Sequence, residues 1–310
     1  MKNKYNKRLV HRSLLFTAGH NKKYIDKAFQ TEADAIVFDL EDAVPDDKKE
    51  EARETLKAFL AKDLPDDRPV YVRINPLESG MTLLDTDAVV SPNLNGFVYP
   101  MARTARDMIA FDAQLSLKEK LLGLPQGYFD IIALIETPES IVRLNEIATA
   151  SDRIIGLLFG SEDFLAEQEG RHGEDAQGIA VPRHIVSMTA KAHGLLAIDT
   201  PYVNVGDFEG LKKHIRQANV MGFEGMLIMS PRELAIANVG YTPDDEKVEK
   251  AREIVRLAKE AAQENKGIVI YNGIFVSPPS VKAAHKTTER YNNILEYTEF
   301  IEKSKQKKND

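Results

Sequence analysis

Acidic side chains follow several short apolar segments of the chain, at the point where each segment ends. Asp39, Glu41 and Asp42 follow one segment, Glu136 follows a second and Asp163 a third. Carboxylates cannot crowd together in a dry site without a cation. Mg²⁺ prefers a few hard oxygen ligands and leaves room for water and substrate. We therefore expect Glu136 and Asp163, which follow adjacent segments, to converge on one Mg²⁺.

One arginine, Arg73, ends a further apolar segment. Its guanidinium suits the bidentate capture of a substrate carboxylate. We expect Arg73, Asp39 and Glu41 to be the catalytic residues and Arg73 also to bind substrate. The remaining candidate substrate contacts are Pro100, Gly160 and Ser161. The predicted substrate is an anionic oxyacid that is chelated by Mg²⁺.

The same residues have structural interpretations that stay open at this point. Asp39 and Asp42 can cap the helix that follows them. Glu41 can be a buried ion-pair partner of Arg73, which would still make it part of the site. Arg73 can be an ordinary surface arginine at a strand end.

Eight short apolar segments can serve as strands that position these side chains. They are nearly continuous rather than alternating, which is typical of parallel strands covered on both faces. Asp199 ends the seventh segment and would join the polar groups at the strand ends. The segments are Ser13–Thr17, Ala35–Leu40, Val70–Ile74, Gly96–Tyr99, Ile131–Ile135, Ile154–Phe159, Leu195–Ile198 and Gly225–Met229.

Helical patterns lie between most of the predicted strands. They cover Lys48–Ala61, Thr104–Lys120, Pro138–Ala150, Pro182–His193 and Asp207–Met221, with a short or irregular stretch at Met81–Val90. Eight β/α units in sequence predict a (β/α)8 TIM barrel, an α/β fold with its active site at the carboxyl ends of the strands. A doubly wound open sheet is the alternative, although no G-x-G-x-x-G or Walker A motif follows any strand.

The predicted domains are a catalytic barrel over residues 1–266 and a C-terminal extension over 267–310. A long charged helix at Asp244–Asn265 is the eighth barrel helix or an appended one. The extension reads as a hairpin around Asn272-Gly273, formed by Gly267–Tyr271 and Ile274–Val276, followed by a helix over Pro278–Lys303.

Composition excludes several classes of protein. The 310 residues contain no cysteine, which excludes disulfides, thiolate metal sites and a thiol nucleophile. The formal net charge of −7 argues against a nucleic-acid surface or an anionic-membrane surface. No apolar run approaches the length of a membrane span or follows the basic N-terminus as a secretory signal would. We expect a cytoplasmic protein.

A series of motifs, in order along the chain, resembles a known family. They are Arg12-Ser13-Leu14-Leu15-Phe16 with Gly19, Asp39-Leu40-Glu41-Asp42-Ala43-Val44, Val72-Arg73-Ile74-Asn75, Ile135-Glu136-Thr137-Pro138, Phe159-Gly160-Ser161-Glu162-Asp163, Arg183, and Ala197-Ile198-Asp199-Thr200-Pro201-Tyr202. Together they resemble the HpcH/HpaI aldolase and citrate lyase β-subunit family, and most closely its citrate lyase β-like branch, which includes malyl-CoA and citramalyl-CoA lyases.

The resemblance implies a barrel with Mg²⁺ on Glu136 and Asp163 and with the carboxylate of a 2-oxo acid on Arg73. It implies that the substrate is a small carboxylate or its thioester with CoA or an acyl carrier protein. It also implies a homo-oligomer, a trimer or hexamer, in which the C-terminal extension reaches a neighbouring subunit's active site.

Three departures from the family pattern leave the reaction open. Met101 replaces a lysine, Ser230 a histidine, and Ser277 an acidic residue that in the CoA lyases resembles the proton-transfer group. A serine lacks comparable basicity. Another carboxylate then does this work, the substrate differs, or catalysis is lost. The hypotheses are a carbon–carbon lyase that cleaves a 3-hydroxy-carboxyacyl thioester, a thioester hydrolase, and a non-catalytic member.

Overall fold

Eight parallel strands close into a barrel in the order of the chain. The structure is a computed structural model that describes residues 10–263 and 269–309. Because β1 pairs with both β2 and β8, the sheet has no free edge, and the predicted TIM barrel is confirmed over the open sheet. The strands are β1 Ser13–Ala18, β2 Ala35–Asp39, β3 Val70–Arg73, β4 Gly96–Tyr99, β5 Asp130–Ile135, β6 Ile154–Phe159, β7 Leu196–Asp199 and β8 Gly225–Ile228.

Successive residues of each strand face alternately into the barrel and toward the surrounding helices. In β2, Val37 belongs to the small cluster of the barrel interior, whereas Phe38 packs in the larger cluster beneath the helices. Both faces are buried, which explains why the strands read as continuous apolar runs. The alternation also decides which strand-end residues face the barrel axis: Asp39 shares the inward face with Val37.

Helices follow each of the eight strands. Their bounds are α1 Lys22–Ala28, α2 Lys49–Leu60, α3 Thr82–Val89, α4 Ala105–Leu121, α5 Pro138–Val142, α6 Leu144–Ala148, α7 Ser161–Glu167, α8 Gln177–Ala192, α9 Phe208–Met221 and α10 Leu234–Gly240. Thr104 and Thr137 cap α4 and α5 with their side chains. Within the described residues, no helix is long and apolar enough to cross a membrane.

Two predicted helices differ in the structure. The expected helix Pro138–Ala150 is split into α5 and α6, because Arg143 leaves helical geometry with φ −99° and ψ 11°. The expected helix at Pro182 begins earlier, at Gln177, and contains the proline. Ile179 and Arg183 are both buried at i, i+4 spacing, so the helix carries an inward stripe that starts before Pro182.

The chain divides into two compact units between Tyr241 and Thr242. The second unit contains α11 Asp245–Gln263, β9 Val269–Tyr271, β10 Ile274–Val276 and α12 Pro278–Asn309. Since α10 follows β8, the long charged helix α11 is the appended one, and the division falls earlier than the expected boundary at 266.

The hairpin of the second unit forms as its turn residues predict. Its strands pair antiparallel, with Ile274 opposite Tyr271. Asn272 and Gly273 have φ of 48° and 77°, which a type I′ turn requires. The beginning of the predicted hairpin, Gly267, lies outside the described residues.

Asp199 does not join the polar groups at the barrel mouth, contrary to the sequence interpretation. Alternation along β7 turns it outward, opposite to the inward-facing Ile198. Arg183 donates from Nε to Oδ1 at 3.0 Å and from Nη2 to Oδ2 at 2.5 Å, and His214 Nε2 lies 3.1 Å from Oδ2. Burial raises the pKa of Asp199, but His214 and Arg183 outweigh it and lower the pKa. The residue ties β7 to α8 and α9.

We expect Asp199→Asn to lower the free energy of unfolding by about 3–5 kcal/mol, because it leaves the buried Arg183 without its anionic partner. Chemical denaturation followed by circular dichroism measures the change. The exposed Asp152→Asn serves as the control and should stay near wild type. An equally small effect of both substitutions would contradict the structural role of Asp199.

Candidate active site

A cavity of about 780 Å³ lies at the carboxyl ends of the strands. Small-molecule sites commonly have roughly 300–1,000 Å³, so this space is large enough for a metabolite. Several residues singled out in the sequence line it, namely Asp39, Asp42, Arg73, Glu136, Gly160, Ser161 and Asp163. They come from four strands or the loops that directly follow them, which explains how positions distant in the chain meet.

Arg73 and Asp39 form the buried centre of this group. Arg73 donates from Nε to Asp39 Oδ1 at 2.8 Å and from Nη2 to Asp39 Oδ2 at 2.6 Å. The same two oxygens accept the backbone N–H groups of Glu41 and Ala43. Burial raises the pKa of Asp39, but Arg73 and these backbone donors outweigh it and lower the pKa. Asp39 is therefore an anion whose oxygens are already committed to holding Arg73 and the following turn.

The other edge of the guanidinium faces two further carboxylates. Arg73 Nη1 lies 2.9 Å from Glu41 Oε2 and 3.2 Å from Asp42 Oδ2. The Phe16 ring lies beside the guanidinium, 5.2 Å from its central carbon. Burial and the neighbouring carboxylates raise the pKa of Glu41 to about 8, although Arg73 acts in the opposite direction. Glu41 is thus an ion-pair partner of Arg73 within the site and can exchange a proton near neutral pH.

Glu136 and Asp163 meet on the opposite side of the cavity. The two carboxyl groups are close enough to interact, although Glu136 is only 3% exposed and Asp163 is exposed. Burial raises the pKa of both side chains, and the charges of nearby carboxylates, Glu41 for Glu136 and Asp42 for Asp163, add to this. Two neighbouring acids with raised pKa present the oxygen donors of a divalent cation site.

These two residues fit the mode in which Mg²⁺ binds proteins. Within the described residues, no group of three or more His, Cys, Asp or Glu side chains is arranged to hold a metal ion. Mg²⁺ commonly uses one or two carboxylates and completes its shell with water and substrate. Glu136 and Asp163 therefore suit Mg²⁺ better than an ion that needs a full protein shell, such as structural zinc.

Two backbone features that hold Glu136 were not anticipated from the sequence. The N–H of Met101 donates to Glu136 Oε1 at 2.7 Å, and Met101 has a left-handed φ of 47°. A Cβ atom at Gly160 would lie 2.7 Å from Glu136 Cβ and 2.8 Å from its Oε2. Gly160 thus leaves space for the Glu136 carboxylate. The left-handed Met101 has no signature in the sequence, since non-glycine residues seldom adopt it.

Ser161 is buried at the start of α7 and is held by Thr200. Its N–H donates to Thr200 Oγ1 at 3.0 Å, and that hydroxyl donates to Ser161 Oγ at 2.7 Å. The Ser161 hydroxyl donates in turn to Glu162 Oε1 at 3.0 Å. Pro100, another expected substrate contact, is buried at the end of β4 and is not among the described residues that line the cavity.

The two serines that depart from the family pattern cap helical turns. Ser230 accepts the N–H of Arg232 at 3.4 Å. Ser277, in the second unit, accepts the N–H of Ser280 at 3.4 Å and its Oγ lies 3.0 Å from that of Ser280. Serine is a favoured residue at such positions, so both have a structural use.

Comparison with known proteins identifies the family of the chain. The family model described as HpcH/HpaI aldolase/citrate lyase matches residues 12–231. The chain is 32% identical over 281 residues to the citrate lyase subunit beta of Haemophilus influenzae, covering 91% of this chain and 97% of that protein. It is 30% identical over 276 residues to the (3S)-malyl-CoA thioesterase of Cereibacter sphaeroides, covering 89% and 93% of the two chains.

A solved structure gives a similar result. The CitE protein of Mycobacterium tuberculosis, in complex with magnesium, acetoacetate and coenzyme A, is similar with a TM-score of 0.73 and 26% identity, covering 93% of this chain and 100% of that one. The fold, the order of the motifs and the similarity over nearly the full length all indicate the same family. The chain belongs to the HpcH/HpaI aldolase/citrate lyase family.

Proposed function

We propose that the protein is a Mg²⁺-dependent carbon–carbon lyase. It would cleave a 3-hydroxy-carboxyacyl thioester to a 2-oxo acid and an acyl thioester. The observation that carries this proposal is that the carboxyl groups of Glu136 and Asp163 line one cavity together with the buried Arg73. Similarity to citrate lyase subunit beta over nearly the whole chain supports the lyase class.

Arg73 would bind the carboxylate on the carbon that becomes the 2-oxo group. Its Nε and one Nη2 proton are engaged by Asp39, so the Nη1 edge that faces Glu41 and Asp42 is the exchangeable one. Asp42 is 69% exposed and can move aside for a substrate anion. Asp39 would act as the positioning residue that keeps the guanidinium turned toward the cavity.

Glu41 would accept the hydroxyl proton as the carbon–carbon bond breaks. A base is most effective when its pKa lies near the working pH, and the pKa of Glu41 is raised to about 8. Its contact with Arg73 places it beside the proposed carboxylate site. Glu41 would thereby replace the acidic residue that the chain lacks at Ser277. When bound by Glu136 and Asp163, Mg²⁺ would supply Lewis-acid polarisation and would orient the substrate oxygens.

The rest of the cavity suits a thioester arm. Besides the acidic residues it is lined by Phe16, Tyr24, Leu227, Met229 and Pro231. An apolar lining with a few polar groups is typical of sites that bind small organic molecules. We propose a thioester of CoA or an acyl carrier protein as the substrate.

A thioester hydrolase is the second candidate. It is favoured by the 30% identity to a (3S)-malyl-CoA thioesterase, which is close to the identity with citrate lyase subunit beta. It is also favoured by Ser277, since hydrolysis needs no acceptor for the proton of the 3-hydroxyl group.

The assembly and location of the protein remain predictions. We propose a cytoplasmic homotrimer or hexamer in which the C-terminal extension reaches the active site of a neighbouring subunit, as the family resemblance implies.

Incubation of the protein with malyl-, citramalyl- and citryl-CoA and Mg²⁺ should release a 2-oxo acid without free thiol. A hydrolase would release the hydroxy acid and free CoA. Because the chain has no cysteine, a thiol reagent such as DTNB reads only the free CoA that is released. Turnover of none of the three, together with none of the corresponding acyl-carrier-protein thioesters, would contradict both enzymatic proposals.

Glu136→Gln and Asp163→Asn should each weaken Mg²⁺ binding by about 100-fold in isothermal titration calorimetry, because each removes one of two charged ligands. Glu139→Gln is the matched control. That residue is three positions after Glu136 in the chain but is exposed and pairs with Arg143. Equal affinity in Glu136→Gln and Glu139→Gln would place the metal elsewhere.

Mg²⁺ affinity should rise with pH. The raised pKa of Glu136 and of Asp163 means that the metal-free protein holds protons that Mg²⁺ must displace. The apparent affinity should increase by up to about tenfold per pH unit for each displaced proton. Calorimetry in buffers of different ionisation enthalpy measures the proton count.

The raised pKa of Glu136 also affects how the stability of the protein depends on pH. Because the pKa of Glu136 is higher in the folded than in the unfolded chain, the free energy of unfolding of the metal-free protein should fall as pH rises above the ordinary carboxyl range of about 4.5. Mg²⁺ should restore the free energy of unfolding, and its effect should increase toward higher pH.

A Mg²⁺ affinity that does not change with pH, with no proton released on binding, would contradict Glu136 and Asp163 as the metal ligands.

A further inference from the structure

A buried lysine, Lys49, holds the turn that carries Glu41. It is the first residue of α2 and is 7% exposed. Its Nζ donates three hydrogen bonds, each of 2.8 Å, to the carbonyl oxygens of Leu40 and Glu41 and to Oδ1 of Asn75. These bonds use all the donors that an ammonium group possesses.

The helix itself does not explain why a buried lysine lies at its first residue. A positive charge at a helix N-terminus is disfavoured by the helix dipole. No carboxylate within residues 10–263 and 269–309 forms an ion pair with Lys49, so a buried charge is satisfied by neutral acceptors alone. Burying a charge without a counterion is costly, which indicates that Lys49 serves the segment that it contacts.

Lys49 is itself fixed by a second buried group. Asn75 donates from Nδ2 to Leu40 O at 2.9 Å and to Asp85 Oδ2 at 2.6 Å. Asp85 is fully buried and also accepts from Arg53 Nε at 2.8 Å. The network therefore anchors the ammonium of Lys49 to the start of the β3–α3 loop and to α3.

The turn after β2 is thus held from two sides. Asp39 accepts the N–H groups of Glu41 and Ala43, and Lys49 holds the carbonyls of Leu40 and Glu41. Both peptide groups of Glu41 are fixed in this way, so its side chain leaves the backbone toward Arg73.

We propose that Lys49 is a positioning residue for the reaction: it fixes the Leu40–Glu41 backbone so that the Glu41 carboxylate faces Arg73 and the substrate. This inference rests on the proposed function, in which Glu41 accepts the hydroxyl proton. Lys49 touches neither Glu136 nor Asp163, so its contribution is separable from metal binding.

The test compares Lys49→Met with Lys48→Met. Lys48 is the neighbouring residue, but it is exposed and pairs with Glu51. We expect Lys49→Met to lower kcat about 100-fold, as misplacement of a reacting group by about 1 Å can do, with KM and Mg²⁺ affinity changed less than about threefold. Lys48→Met should leave all three near wild type. Lys49→Gln, which keeps two N–H donors on a side chain one bond shorter, should give an intermediate kcat.

Amide hydrogen exchange gives a readout that does not depend on turnover. The N–H groups of Glu41 and Ala43 should exchange at least about tenfold faster in Lys49→Met, while those of β2 remain protected. If the wild type cleaves none of the thioesters, the proposed function fails and exchange alone decides the role of Lys49. Unchanged exchange at Glu41 and Ala43, or a loss of stability with wild-type kcat in the folded protein, would overturn the inference.

Discussion

Charge balance at the barrel mouth is the constraint on which the site depends. Asp39, Glu41, Asp42, Glu136 and Asp163 share this region, and Arg73 is the cation that pairs with the first three. Carboxylates in low dielectric repel one another and take up protons unless a cation compensates them. The pKa values of Glu136 and Asp163 are raised accordingly. A divalent cation would compensate these two carboxylates, and an anionic substrate could then bind between that cation and Arg73, which unites the proposed metal site and the proposed substrate class.

The barrel supplies the geometry of this balance through strand alternation. Asp39, Arg73 and Glu136 continue the inward faces of β2, β3 and β5, so residues far apart in the chain converge. The same rule turns Asp199 outward into an ion pair with Arg183. The alternation along a strand therefore decides whether a residue at its end faces the cavity or packs against the helices.

Much of the fold and part of the candidate site were predictable from the sequence because they depend on local patterns. Continuous apolar runs predicted eight buried parallel strands. The polar residues expected at the strand ends included Arg73, Glu136 and Asp163, which line the cavity. The alternation of positions along β7 would also have shown that Asp199 does not join the polar groups at the barrel mouth. The left-handed Met101 and the buried Lys49 were not predictable in this way, because each depends on contacts between distant segments: the N–H of Met101 meets Glu136, and Lys49 meets Asn75. The start of α8 at Gln177 also followed its buried stripe rather than the local signal of Pro182.

The most direct test of the account is a crystal structure with Mn²⁺, as an anomalous scatterer in place of Mg²⁺, and pyruvate, as a 2-oxo acid. We predict one metal ion bonded to a carboxylate oxygen of both Glu136 and Asp163, at about the 2.1 Å typical of Mg²⁺–oxygen bonds, with the pyruvate carboxylate on Arg73. Anomalous density elsewhere, with neither Glu136 nor Asp163 bonded to the metal, would contradict the central claim that these two carboxylates form the metal site.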